Sequence, residues 1–473
     1  MDERRNHFIG GAFVPPRSGR TLETRNPATG EVLGAVARGD AADVAAAVEA
    51  ARAAFPGWRD RRPIERGRIL LELARRIRAE SPQLVALEQL EAGKPGYQAT
   101  AEVEVAAQYF EFYGGLVNAL GGETLDLGAG YHSYTRREPF GVVGVILPWN
   151  APLNQAARGV APALAAGNVV VAKPSEFTSA SALVLARLAV ECGLPAGVLN
   201  VVTGVGSEAG RALVEHPDVR KIAFTGSVRA GREIAHVAAD RIVPLTLELG
   251  GKSPNLVFSD ADMAAAVTGS LRAFVMNAGQ VCSAGTRLLL QKEIHDDFVA
   301  ALADAIQAVK PGQTIGPMTT EAQYRKVQDY YAIAREEGAT AVAGGALPSD
   351  PALGGGWFVA PTIYTGVRNE MRIAREEVFG PVVAVIPFAD EDEAVRIAND
   401  TPYGLVAGIW TRDLSRAHRV AARLEAGQIA VNEWTAGGVE TPFGGYKQSG
   451  YGREKGIEAL HHYTQLKCVT IKL

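Results

Sequence analysis

Three cysteines in 473 residues, Cys192, Cys282 and Cys468, are too scattered and odd in number for a disulfide framework or for the spacing of a metal site. Any thiol that matters here works as a thiol. Histidine is scarce too: His132, His216, His236, His295 and the His461–His462 pair lie in charged or helical surroundings with no motif around them. A cysteine hydrolase with a histidine base is therefore a poor reading. No stretch reaches about 18 uninterrupted apolar residues, so no membrane-spanning helix is expected. The opening "MDERRNHFIGGAFVPP" never develops the apolar core of a secretory signal, and the expected location is cytoplasmic. The formal net charge of −4 comes without an acidic or basic block. Nucleic acid and anionic membrane surfaces are disfavoured as partners, and a small molecule is favoured.

What is present is ample core: 47% of the residues are hydrophobic, enough for two or three domains. Helical periodicity runs through residues 40–55, 63–93 and 99–117, which are Ala-rich and amphipathic. From Pro139 the texture changes to short Val/Ile/Leu runs, each followed by a helix-like stretch. That alternation predicts a parallel sheet. Five runs follow in order: "VVGVILPWN", "NVVVAKPSE", "VLNVVTGVG", "RKIAFTGS" and "VPLTLELGG". In each, the chemically distinctive residues come after the apolar segment: Asn150, Lys173 with Glu176, Gly204 with Gly206, Gly226 with Ser227, and Glu248. Open α/β sheets bind ligands beyond the carboxyl ends of their strands, so one crevice could collect these groups. After Gly251 the alternation restarts with "SPNLVF", "TRLLLQ", "ATAVAGG", "GPVVAVIPF", "LVAGIW" and "GQIAVN", a second α/β domain. Two strand-like segments, "YHSYTRREPF" and "HHYTQLKCVTIKL", lie outside both and predict a small sheet that pairs with another subunit.

Each motif admits a plain structural reading. "GVGSEAG" is one residue too long for a dinucleotide fingerprint, and a tight turn with close helix packing explains it. "FTGSVRAG" could open a helix whose free N–H groups face a pyrophosphate, with Gly231 letting that helix sit close, or be an ordinary strand-to-helix turn. In "KPSE", Lys173 and Glu176 could hold ribose hydroxyls, or simply begin a helix with an acidic first turn. A lone cytosolic cysteine is usually a small buried hydrophobe. Around Cys282, however, "NAGQVCSAGTR" places Gly279, Ala284 and Gly285, which strip bulk and leave the sulfur approachable. The strand ends also supply Glu248 as a base for a thiol or a water, and Asn150 as an amide donor to an oxyanion.

Taken in order, "LPWN", "KPSE", "FTGS", "LELGGKSPNLVF", "GQVCSAGTR", "EEVFGPV" and "PFGGYKQSGYGRE" resemble the NAD(P)-dependent aldehyde dehydrogenase superfamily over almost the whole chain. The resemblance implies two Rossmann-like parallel-sheet α/β domains plus a small oligomerisation sheet. The NAD-binding domain would be 1–118 and 140–249, the catalytic domain 250–445, and the oligomerisation strands 119–139 and 456–473. It implies Cys282 as nucleophile, Glu248 as general base, and Asn150 with the Cys282 backbone N–H as oxyanion hole. The cofactor, NAD rather than NADP because Glu176 would repel a 2′-phosphate, would lie along Leu147, Pro148, Trp149, Lys173, Pro174, Ser175, Glu176, Gly206, Gly210, Phe224, Thr225, Gly226, Ser227, Gly231, Leu249, Gly250, Glu377 and Phe379. No metal is implied. A homodimer or homotetramer is.

Glu248 favours a free carboxylic acid as product, since relatives that release an acyl-CoA usually lack it. A CoA-acylating enzyme and a non-catalytic NAD-binding homologue are the alternatives. After "PWN" many relatives carry a bulky aromatic; here Ala151 follows, with Gln155 and Arg158 on the same helical face. That suggests a wider, more polar substrate tunnel, lined also by Met276, Ser283 and Trp434. A semialdehyde, its carboxylate gripped by Arg158, or a bulky polar or aromatic aldehyde is the expected substrate.

Overall fold

The computed structural model describes residues 5–434 and 436–473, so the first four residues of the opening segment lie outside it. Two large sheets organise the chain. The first runs, edge to edge, through Ala12–Val14, His7–Ile9, Leu199–Val201, Val169–Lys173, Val142–Ile146, Val219–Thr225, Leu245–Glu248 and Gly450–Tyr451. Its five central strands are the five apolar runs of the sequence, and they pair parallel throughout. Strand Val142–Ile146 and its helix Pro152–Ala165 are buried almost completely, as two covered faces of a parallel sheet require. Strand order runs one way from Val142–Ile146 and the other way from Val219–Thr225. The crevice at this switch point opens beyond Ile146, Thr225 and Glu248.

The second sheet runs Thr340–Ala343, Thr362–Thr365, Val382–Phe388, Arg287–Gln291, Pro254–Val257, Val406–Trp410 and Gln428–Val431. A third, small sheet pairs Tyr131–Pro139 with Thr464–Lys472 and Thr124–Leu125.

Three features differ from the sequence reading. Both large sheets are mixed at their edges: the His7–Val14 hairpin, Gly450–Tyr451 and Thr340–Ala343 all pair antiparallel. The helix expected over 63–93 is two, Pro63–Ala79 and Ser81–Ala92, because Pro82 in the first turn of the second cannot continue the first. Strand Thr362–Thr365 went unread, being only four residues of mixed polarity.

Asn168, fully buried, ties the sheets together. Its Oδ1 accepts from the N–H groups of Phe140 (2.8 Å) and Gly141 (3.2 Å), while Nδ2 donates to the carbonyls of Ala163 (3.2 Å) and Tyr463 (2.8 Å). The start of the first central strand and the entry to the last strand of the small sheet are thus pinned at one side chain. Asn168→Ala leaves these groups unpaired in the interior and should lower unfolding free energy by about 2 to 4 kcal/mol. Urea denaturation measures it; an unchanged midpoint would show that the junction is held elsewhere.

Candidate active site

Glu248 ends its strand with both backbone neighbours engaged. Thr225 is its parallel partner, Gly450 its antiparallel one, and the Gly226 N–H donates to its carbonyl at 3.0 Å. The side chain is 2% exposed and neither carboxylate oxygen has a hydrogen-bond donor. A Cβ at residue 444 would come within 2.8 Å of its Oε1, so only glycine leaves the carboxylate its place. Arg158 Nη2 is 3.5 Å away. Burial holds the Glu248 carboxyl well above the usual range, and Arg158 pulls it only part of the way back.

Cys282 follows three consecutive left-handed residues, Asn277 (φ 51°), Ala278 (φ 51°) and Gly279 (φ 72°). Such a run persists only where its surroundings over-determine it. Here the amide of Asn277 donates to the carbonyls of Asn150 (2.9 Å) and Gln280 (3.3 Å), and that of Gln280 donates to those of Asn277 (3.0 Å) and Pro317 (3.2 Å). Asn150 in turn donates one Nδ2 hydrogen to the Gln280 carbonyl at 2.8 Å. Its second amide hydrogen meets no acceptor among the described residues. The loop that carries Cys282 and the Asn150 amide are therefore one interlocked unit.

The glycines of this loop have a different purpose from the one read in the sequence. A Cβ on Gly279 would lie 2.1 Å from the Gly380 carbonyl group, and one on Gly285 would lie 2.8 Å from the Trp434 ring. They admit a neighbouring backbone and an indole rather than exposing the sulfur. The thiol is half-buried. Burial pushes it up to about 12, against the lowering effect of Arg158, so it stays protonated at rest.

Pro148, Trp149, Asn150, Gln155, Thr225, Gly226, Ser227, Glu248, Gly250, Cys282, Glu377 and Phe379, all singled out in the sequence, line one cavity of about 190 Å³. Gln323 and Lys326 line it too and were missed, because helix Glu321–Glu336 reads as a charged surface helix. Gln323 donates to the carbonyls of Val378 (2.8 Å) and Phe379 (3.0 Å), holding Phe379 in a left-handed conformation (φ 59°) with its ring edge-on to Trp149. Lys326 and, less strongly, Lys252 temper the half-buried Glu377 carboxyl, which desolvation raises and which also accepts from the Gly251 N–H at 3.2 Å. A Cβ on Gly250 would strike that carboxylate.

The remaining cofactor candidates are not among the residues that line this cavity. Ser227 caps helix Val228–Arg241 by accepting from the Ala230 N–H, and Gly231 lets the helix rest against Leu249. Lys173 is buried at its strand end with Glu176 at 3.6 Å, and Gly210, closing the turn that starts at Gly206, lies against the Lys173 side chain. Leu147 and Phe224 are buried beneath the crevice, and Pro174 and Ser175 continue the Lys173 strand end.

On the substrate side, Ala151 precedes the first turn of Pro152–Ala165, and Met276 and Ser283 are half-buried next to the nucleophile loop. Trp434 is buried in a cluster with Phe443 against which Cys282 packs. Arg158 corrects the sequence reading. Its guanidinium lies over the Phe443 ring, ion-pairs with buried Glu454 and faces Glu248, so it is already committed and not free to grip a substrate carboxylate. Glu454 and Gly444 both fall inside the quoted "PFGGYKQSGYGRE", where the signal for them lay.

This geometry has counterparts. The model of the aldehyde dehydrogenase family matches residues 13–469. The chain is 44% identical to the betaine aldehyde dehydrogenase of Mesorhizobium japonicum, over 99% of its own length and 97% of that protein's. It is 42% identical to human 4-trimethylaminobutyraldehyde dehydrogenase, over 99% and 96%. An aldehyde dehydrogenase from Bacillus cereus solved as an NAD+ complex superposes with a TM-score of 0.97 at 40% identity, over 100% of this chain and 97% of that one. An indole-3-acetaldehyde dehydrogenase in complex with NAD+ gives 0.97 at 41%, over 99% and 96%. The chain belongs to the aldehyde dehydrogenase family.

Arg158 lowers both Glu248 and Cys282, so its loss must raise both. A base with a higher pKa is deprotonated only at higher pH. In Arg158→Met, the acid limb of the kcat/KM profile should therefore move up by about one pH unit. An unmoved limb would show that the guanidinium does not set the protonation of the pair.

Proposed function

We propose that the protein oxidises an aldehyde to a free carboxylic acid with NAD, through a covalent adduct on Cys282. The observation that carries this is the shared cavity, which holds a thiol, an undonated buried carboxylate and an amide with a hydrogen to spare. The residues present fit NAD: glycine at 226 and 250, where a side chain would collide with Phe224 and Glu377, the first turn after Ser227, and buried Lys173 beside Glu176. Ser227 and the helix it caps would receive the pyrophosphate, Lys173 and Glu176 the adenine ribose, and Glu377 and Phe379 the nicotinamide side. Glu176 favours NAD over NADP, because a 2′-phosphate would face a carboxylate.

The Cys282 thiol loses its proton to solvent, its sulfur bonds to the carbonyl carbon, and the C=O π pair moves to oxygen, where the free Asn150 hydrogen receives the charge. NAD, when bound, supplies the acceptor for the hydride that leaves this carbon, which makes the adduct a thioester. Glu248 then takes a proton from water, the hydroxide oxygen bonds to the acyl carbon, and the C–S bond breaks to free the acid. The raised carboxyl suits this task, because a carboxylate held above its ordinary range by burial is a stronger base toward water.

Supporting a homodimer or homotetramer, the small sheet leaves Tyr131, Leu466 and Ile471 exposed. Among the described residues no helix is long and apolar enough to cross a membrane; we place the enzyme in the cytoplasm.

Glu248→Gln should release a burst of roughly one NADH per active site and then turn over at least about a hundredfold slower, while Cys282→Ala gives no burst. Stopped-flow absorbance reads both. A full-amplitude steady state in Glu248→Gln would reassign the base.

A further inference from the structure

One charged side chain, Lys455, lies over the aromatic ring that packs on Cys282 and has no ion pair among the described residues. Phe443 and Glu454 exchange backbone hydrogen bonds in both directions at 2.7 Å, which fixes residue 455 against the aromatic ring that flanks Cys282. Lys455 adopts φ 62°, ψ 170°, a conformation essentially reserved for glycine, and the Gly456 N–H that follows is held by the Val439 carbonyl at 2.8 Å. A lysine kept in a glycine conformation points to a use for its side chain.

Its ammonium lies 5.7 Å from the Phe443 centroid, and the Arg158 guanidinium lies 4.6 Å from the same centroid. The two cations differ in one respect. Arg158 is matched by Glu454 and Glu248. The Lys455 ammonium has no ion pair or hydrogen bond among the described residues, and Glu440 acts on it only from a distance. Burial and Arg158 push Lys455 down to about 8, so it remains largely charged at neutral pH while gaining little from its surroundings.

We propose that Lys455 is a specificity residue: it binds a carboxylate at the far end of the substrate, so that the aldehydes this enzyme prefers are ω-carboxylated semialdehydes. A single ammonium with no accompanying cluster of N–H donors suits a carboxylate better than a phosphate. Trimethylammonium aldehydes, the kind named for two of the relatives above, would meet an unmatched positive charge. This assignment rests on the dehydrogenase reading and replaces Arg158 with Lys455 as the cation that meets the substrate.

The test compares kcat/KM for straight-chain aldehydes of matched length bearing a terminal carboxylate, methyl or trimethylammonium group. Wild type, Lys455→Met, Lys455→Gly and Lys455→Arg are assayed by NADH formation. Wild type should favour the carboxylated substrate; Met and Gly should lower the carboxylate-to-methyl ratio by about tenfold or more, mainly through KM, while Arg keeps it within about threefold. Lys455→Gly suits the backbone at this position, so it should melt no lower than wild type and keeps the test open if Lys455→Met fails to fold. A ratio that stays within about twofold in the folded Met and Gly variants overturns the assignment. So does a wild type that takes the trimethylammonium aldehyde as well as the carboxylated one. NADH formation with an unchanged ratio removes only the role of Lys455; no NADH from any aldehyde removes the dehydrogenase reading and this inference with it.

Discussion

Glu248 is a carboxylate taken out of water and given no hydrogen-bond donor in return. Left so, an ionised carboxyl is costly, and the group responds by holding on to its proton more tightly. What keeps the site usable is the opposing charge at 3.5 Å, Arg158, itself tethered by buried Glu454. Two carboxylates and one guanidinium thus share an enclosed space, and the thiol beside them feels both signs. The arrangement raises the affinity of the Glu248 carboxyl for a proton by burial and tempers that rise with one guanidinium.

The fold supplies the positions. Glu248 is the last residue of a central parallel strand, Asn150 follows the strand end two places away across Val219–Thr225, and Cys282 arrives from the second sheet's side of the chain on a left-handed loop. Contacts around the cavity interlock. Asn150 is hydrogen-bonded into the Cys282 loop, Gly444 closes on the Glu248 carboxylate, and Gln323 holds the strained Phe379 backbone that borders the same cavity.

Much of this was legible in the sequence. Apolar runs ending in polar residues located the strand carboxyl ends, and the crevice does gather Asn150, Ser227, Glu248 and Cys282. The illegible parts share a cause: they depend on which atoms meet across long sequence separations. Gly279 and Gly285 looked like room for sulfur and are room for the Gly380 backbone and Trp434. Arg158 looked like a free cation because its partner, Glu454, comes from almost the other end of the chain. Gln323 and Lys326 were invisible because helical spacing on a charged helix cannot say which turn faces a cavity.

The central claim is that an acyl group is carried on one sulfur. Mixing the enzyme with NAD and an aldehyde, quenching in acid and mapping peptides by mass spectrometry tests it directly. The account predicts an acyl mass on the peptide containing Cys282 and none on those containing Cys192 or Cys468. An adduct on either of the other two cysteines, or NADH formation with no adduct on any of the three, would contradict it.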